Sequence, residues 1–234
     1  MNRKSIIFDF DGTLIDNTER DYQSFYYVFK KYKMNILNKE EVMEMRKKGA
    51  LAGDIIQKSI SISNYESKQE DLLKIGLQER QKFLESDLAM KWDIPFAYTT
   101  EVLNFYKKNE YCIFLTTLRK NKSKLKDLLK QLGILKFFDA IYCIDDLSDE
   151  ERSKSNSWRD KMIENKETMF CKIINNKRHS NDVLAVGDTI YDMIAGNKAG
   201  ITTIGVLTGY ARKEDLLRYA NLVLPSIKEL QKIK

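Results

Sequence analysis

The chain has 234 residues, 43% hydrophobic and 32% charged, with one His, three Cys and a formal charge of +6. That apolar fraction supports a sizeable core in one or two domains, which argues against a disordered chain or a small disulfide-stapled scaffold. A lone His179 argues against multi-histidine zinc sites and His-dependent triads, and the basic excess, spread along the whole chain, favours anionic ligands only in a general way.

Met1–Ser5 carries two basic residues, but the apolar run after it is broken by Asp9 and Asp11 before it reaches signal-peptide length. Ser5–Phe8 reads as a first strand. From Glu19 to Leu88 the pattern is helical with no convincing strand, and it opens with Tyr22, Phe25, Tyr26, Phe29 and Tyr32 on one helix face, expected to form that segment's own core. Next come a helix over Thr99–Lys108, a strand over Tyr111–Leu115, a helix over Lys122–Leu132 and a strand over Ala140–Ile144. The charge-dense stretch Asp145–Lys166 reads as a loop or solvated helix start, with a helix over Asp160–Asn175 and a polar surface loop, holding His179, over Asn175–Asp182. Strands over Val183–Val186, Thr203–Val206 and Leu222–Leu224 follow, with a helix over Tyr191–Ala199 and a last helix boxed by Ser226 and Glu229.

Short Ile-, Val- and Phe-rich strands alternating with helices predict an α/β chain with a doubly wound, Rossmann-like parallel sheet. The long gap between the first and second strands predicts an inserted helical domain. Cys112, Cys143 and Cys171 lie far apart in apolar segments and read as reduced core thiols of a cytoplasmic protein. No stretch approaches the roughly 18 apolar residues of a membrane span, and no nucleic-acid patch is marked.

The chemistry is concentrated at strand ends. After the first strand comes Asp9-Phe10-Asp11-Gly12-Thr13-Leu14, in which Asp9 and Asp11 can approach one site at the carboxyl edge of the sheet and Gly12 permits a tight turn. Asp188 and Asp192, in Gly187-Asp188-Thr189-Ile190-Tyr191-Asp192, follow the Val183–Val186 strand in the same way. If the two strands are neighbours, four carboxylates converge, and oxygen-only ligands favour magnesium over zinc. The second strand ends in Thr116 and Thr117, placing a hydroxyl at the same edge.

Asp-X-Asp-Gly-Thr, Thr and Gly-Asp-X-X-X-Asp, each after a strand and in this order, resemble the haloacid dehalogenase-like hydrolase superfamily, in its phosphoglycolate phosphatase-like branch with a helical cap. The likeness runs through Gly200-Ile201, Gly205-Val206 and Gly209-Tyr210. It implies a core of residues 1–15 and 95–234 and a cap of residues 16–94. It implies Asp9 as nucleophile, giving an aspartyl-phosphate, and Asp11 as the acid and base. It assigns magnesium to Asp9, the backbone carbonyl of Asp11, Asp188 and Asp192. Phosphoryl oxygens fall to Thr116, with Thr117 and Gly12 beside it.

The family's third-motif lysine is often followed by Pro, and neither Pro95 nor Pro225 marks it here. Lys166 best resembles the lysine that opens the helix before the third motif strand, with Lys161 as the other candidate. The expected activity is a magnesium-dependent phosphatase acting on a small phosphorylated metabolite. The second carboxylate at Asp11 argues against dehalogenation. A sugar phosphomutase is the alternative, although Lys48-Gly49 is not followed by the Arg of that branch; a nucleic-acid end phosphatase and a catalytically quiet binding protein stand further off. Arg46, Lys47 and Lys48 are candidates for holding a charged substrate tail, against the plainer reading of a solvated basic run.

Overall fold

Ile6, Ile7 and Phe8 have no exposed surface, because the first apolar run becomes an interior strand covered on both faces and both edges. The computed structural model describes residues 3–63, 65, 69–175 and 179–232, and the side chains of 179–181 are outside that description. The chain divides into two compact units, Met1–Asp16 with Pro95–Lys234, and Asn17–Ile94.

The first unit holds β1 (Arg3–Phe8), and two short strands, β2 (Ile15–Asp16) and β3 (Ile94–Pro95), pair apart from the main sheet. The main sheet adds β4 (Cys112–Thr116), β5 (Ala140–Tyr142), β6 (His179–Gly187), β7 (Thr202–Val206) and β8 (Leu222–Leu224). Its order is β5-β4-β1-β6-β7-β8 and every pairing is parallel. The chain winds outward from β1 through β4 and β5, then returns to open the other side at β6. The switch point therefore falls at the carboxyl end of β1, where open α/β sheets bind ligands.

The second unit is helical: α1 (Thr18–Lys31), α2 (Lys39–Lys47), α3 (Ala52–Ser61), α4 (Gln69–Leu84) and α5 (Asp87–Met90). Phe25 and Phe29 of the aromatic stripe are fully buried with Val28, Ile55, Ile56 and Ile60, while Tyr22 and Tyr32 pack at the margin. Inside this unit Asp21 pairs with both Arg46 and Arg80, and both guanidiniums lie over the Phe25 ring.

The first unit's helices are α6 (Thr99–Lys108), α7 (Lys122–Gln131), α8 (Trp158–Ile174), α9 (Ile190–Lys198) and α10 (Lys213–Leu216). On α8 the buried residues are Lys166, Met169, Phe170 and Ile173, a stripe at helical spacing that faces the sheet. Phe170 and Ile173 pack there with Ile7, Phe114, Ala185 and Ala195. Two expectations change. The polar stretch holding His179 is not all loop, because β6 begins at His179 and pairs with Arg3. Ser226 and Glu229 do meet, the Ser226 N–H and hydroxyl both donating to the Glu229 carboxylate, but the segment they open, Ile227–Lys232, is a 3-10 helix. No helix of the described residues is long and apolar enough to cross a membrane.

Candidate active site

The Asp9 N–H still bonds the Val186 carbonyl at 2.8 Å, so the Asp9 carboxylate emerges as β1 leaves the sheet. The chain then turns tightly, the Phe10 carbonyl accepting from Leu14 N–H at 3.0 Å. Gly12 takes φ +74° in that turn, a conformation open to glycine at little cost. Its N–H bonds the Ile15 carbonyl at 2.9 Å, and its own carbonyl accepts from the Thr208 hydroxyl at 2.6 Å. The Gly12 N–H and carbonyl are thus both engaged within the protein. What Gly12 supplies is room: a Cβ there would lie 2.6 Å from Asp188 Oδ2.

Asp9, Asp188 and Asp192 bring carboxylate oxygens within 4.8 Å of one another, and all three residues are buried. Asp188 directly follows β6 and accepts from the Thr13 hydroxyl at 3.4 Å. Asp192 lies in the first turn of α9, where its Oδ2 accepts from the Thr189 hydroxyl at 2.6 Å in a capping box. Its Oδ1 lies 2.8 Å from the Lys166 ammonium, which also pairs with Asp9 and donates to the Thr116 carbonyl at 3.2 Å. Lys166 is only 2% exposed, whereas Lys161 is exposed. The sequence carried a signal for this: Lys166 extends the Met169, Phe170 and Ile173 stripe by one turn, and Lys161 does not fall on it.

Of the four carboxylates expected to converge, three do. Asp11 is turned to Arg119, which grips it with Nε at 2.8 Å and Nη2 at 2.5 Å. The Thr116 hydroxyl is buried and has no hydrogen-bond partner among the described residues. The Thr117 hydroxyl accepts the Arg119 N–H at 3.2 Å. Arg46 is held within its own unit, bonding Asp21 at 3.0 and 3.1 Å and the Ala50 carbonyl at 3.2 Å. It shares the Asp21 carboxylate with Arg80. Lys47 and Lys48 are exposed, and Lys48 pairs with Glu44 at 3.1 Å.

Sequence reasoning missed Arg119, Thr208 and the packing role of Gly209. Arg119 stands among Lys120, Lys122 and Lys124 with no periodicity to single it out. A Cβ on Gly209 would fall 1.7 Å from Asp188 Oδ2, with no positive φ to explain the glycine otherwise. A separate groove of about 440 Å³ at the amino edge of the sheet, lined by Lys4, Tyr106, Tyr111 and Asp182 among others, shares no residue with the carboxylates.

Burial pushes the Asp9 carboxyl up to about 7, with Lys166 opposing and Asp192 and Asp11 reinforcing. Asp188 is raised well above the usual carboxylate range by burial, then by Asp9 and Asp192. Burial works against the Lys166 charge, but Asp192 and Asp9 outweigh it and raise that ammonium's pKa. Three carboxylates against one ammonium leave the cluster short of positive charge. An all-oxygen donor set of this kind, with glycines keeping space around Asp188, fits a divalent cation.

A parallel sheet with three buried carboxylates and an ammonium at its switch point defines a protein of the α/β class with an acidic site at the carboxyl edge of its strands. Residues 6–206 match the haloacid dehalogenase-like hydrolases, and the chain belongs to that family. A pyrophosphatase, PpaX, of Halalkalibacterium halodurans is 24% identical over 93% of this chain and 89% of its own. Among solved structures, a haloacid dehalogenase-like hydrolase from Streptococcus pneumoniae superposes with a TM-score of 0.72 at 21% identity, covering 98% of this chain and 97% of that one. A predicted phosphoglycolate phosphatase from Haemophilus somnus gives a TM-score of 0.71 at 18% identity, covering 99% and 98%. The haloacid dehalogenase-like resemblance read from the motifs thus holds for the family, and the fold is shared with these structures.

Proposed function

We propose that this chain is a magnesium-dependent phosphatase of the cytoplasm that hydrolyses small phosphorylated metabolites through an aspartyl-phosphate on Asp9. The observation that carries the reading is the buried Lys166 ammonium joining Asp9 and Asp192, beside Asp188 and the unpartnered Thr116 hydroxyl. The three free thiols, Cys112, Cys143 and Cys171, suit a reducing compartment.

Asp9 attacks phosphorus as the bond to the leaving oxygen breaks, and that oxygen takes its proton from Asp11. Asp11, now a carboxylate, takes a proton from the water that attacks the phosphorus of the aspartyl-phosphate; phosphate leaves and Asp9 is restored. Lys166 orients Asp9 and neutralises charge on the phosphoryl group, and the Thr116 hydroxyl donates to a phosphoryl oxygen. Asp9, Asp188 and Asp192 would hold magnesium, with the Asp11 carbonyl as a further ligand. When bound, the ion supplies charge neutralisation between the attacking carboxylate and the phosphoryl oxygens.

The test is phosphate release from a panel of small organic phosphates and inorganic pyrophosphate, with magnesium and with chelator. Pyrophosphate belongs in the panel because the Halalkalibacterium relative is a pyrophosphatase. Asp9→Asn, nearly isosteric but without the nucleophilic charge, is expected to abolish release while keeping the melting temperature. A folded variant retaining more than a few per cent of wild-type turnover would remove Asp9 from the nucleophile's role.

A further inference from the structure

Asp11 needs a defined position to serve a leaving oxygen, yet its carboxylate lies outside the buried cluster and is 28% exposed. A side chain with two rotatable bonds at such a place is held only by what grips it. Arg119 grips it at two points. Its Nε and Nη2 meet the two Asp11 oxygens at 2.8 and 2.5 Å, the planar two-point match that only a guanidinium offers.

Arg119 is itself fixed. Its side chain is 7% exposed, and its guanidinium lies 4.7 Å from the centre of the Phe10 ring. The backbone is tied at both ends, with N–H to the Thr117 hydroxyl at 3.2 Å and its carbonyl accepting from Ile144 N–H at 3.2 Å. A group immobilised this thoroughly, directly after β4 and gripping the next carboxylate along from Asp9, has the properties of a support for a working side chain.

We propose that Arg119 is the positioning residue for Asp11, holding that carboxyl where it delivers its proton to the leaving oxygen. The inference rests on the phosphatase reading. Two contacts suit the carboxylate. When Asp11 carries the proton, one oxygen keeps its guanidinium contact while the other turns to the leaving group, so the fork opens at one arm without releasing the side chain. In this role Arg119 acts through Asp11.

This predicts a dependence on the leaving group. An alkoxide leaves only with a proton, whereas 4-nitrophenolate leaves without one, so losing the support penalises alkyl esters selectively. The measurement is kcat/KM, which reports phosphoryl transfer to Asp9 and excludes the later hydrolysis, for glycerol phosphate and 4-nitrophenyl phosphate with magnesium present. Arg119→Ala is expected to lose about 30-fold or more on glycerol phosphate, a part of the roughly 100- to 10,000-fold that general acid–base catalysis supplies, and less than about 5-fold on the aryl ester. Arg119→Lys, which keeps one contact, is expected to recover much of the alkyl activity. The double variant Arg119→Ala/Asp11→Asn is expected to match Asp11→Asn alone. Should Arg119→Ala fail to fold, Arg119→Met, which keeps a stem over Phe10, carries the same comparison. Equal losses on both esters, no loss on either, or additive effects in the double variant overturn the inference and leave the phosphatase reading standing. A folded wild-type chain that hydrolyses neither ester overturns both.

Discussion

Replacing Lys166 by Met removes the ammonium beside three buried carboxylates while nearly keeping the length of the stem. Lys166 is 2% exposed and reaches Asp9, Asp192 at 2.8 Å and the Thr116 carbonyl at 3.2 Å. Removing one partner of a buried ion pair costs about 3–5 kcal/mol, because the remaining charge is left uncompensated. In a domain of this size each kcal/mol moves the melting temperature by roughly 2–4 °C, so the variant is expected to melt about 6–20 °C lower. The deficit also depends on pH. Asp9 has a folded-state pKa of about 7, raised above its ordinary 3.8, so the stability it contributes is present at low pH and lost as pH rises through about 7. Lys166 lowers that pKa, and without it the loss continues to higher pH, so the deficit is expected to widen from pH 6 to pH 8.5. Thermal melts of wild type and Lys166→Met across that range, with phosphate release alongside, measure both effects. Turnover should fall by orders of magnitude, and exposed Lys161→Ala should alter neither quantity appreciably. A Lys166→Met protein that melts with the wild type at pH 8.5 and still turns over would refute the electrostatic account of the cluster.

Gly209→Ala would put a Cβ 1.7 Å from Asp188 Oδ2, so Asp188 must shift, and the magnesium concentration for half-maximal activity is expected to rise about 10–100-fold; an unchanged magnesium titration would contradict the packing argument. Saturating magnesium at about 100 times its dissociation constant should stabilise the folded protein by about 2.7 kcal/mol. The rise in melting temperature should be larger at pH 8 than at pH 5.5, because the cluster that ionises through about 7 is the one that takes the ion; equal rises at both pH values would count against these ligands. Burial pushes the Cys143 thiol up to about 11 and leaves it no exposed surface, while Cys171 is only half-buried. Alkylation of the native protein at pH 8, followed by peptide mass, should therefore label Cys171 first and Cys143 last.

Asp21 shows why a basic run is a poor guide to a binding site. Arg46 and Arg80 both converge on that one buried carboxylate and on the Phe25 ring. Arg46 sits in sequence beside Lys47 and Lys48, which are exposed, and nothing in the order of those three residues separates the interior cation from the solvated ones. Its partner is 25 positions away.

The sequence by itself determined the elements and the kind of chemistry. Each strand of the main sheet was legible because a buried parallel strand must be apolar on both faces, and short runs such as Ser5–Phe8 and Thr203–Val206 have no other use for such composition. Asp9, Thr116, Asp188 and Asp192 were legible because each ends a strand, directly follows one or opens the next helix, and adjacency in sequence places them at one sheet edge. Contacts between distant segments were settled only by the tertiary structure. Which lysine enters the cluster depended on the face of α8 that meets the sheet, and Arg119 met Asp11 only because β4 lies beside β1. Gly209 was brought against Asp188, leaving no room for a Cβ, by the pairing of β6 with β7. Local pattern encodes what a residue's own segment becomes, whereas charge pairing and close packing are properties of surfaces that exist only once the chain has folded.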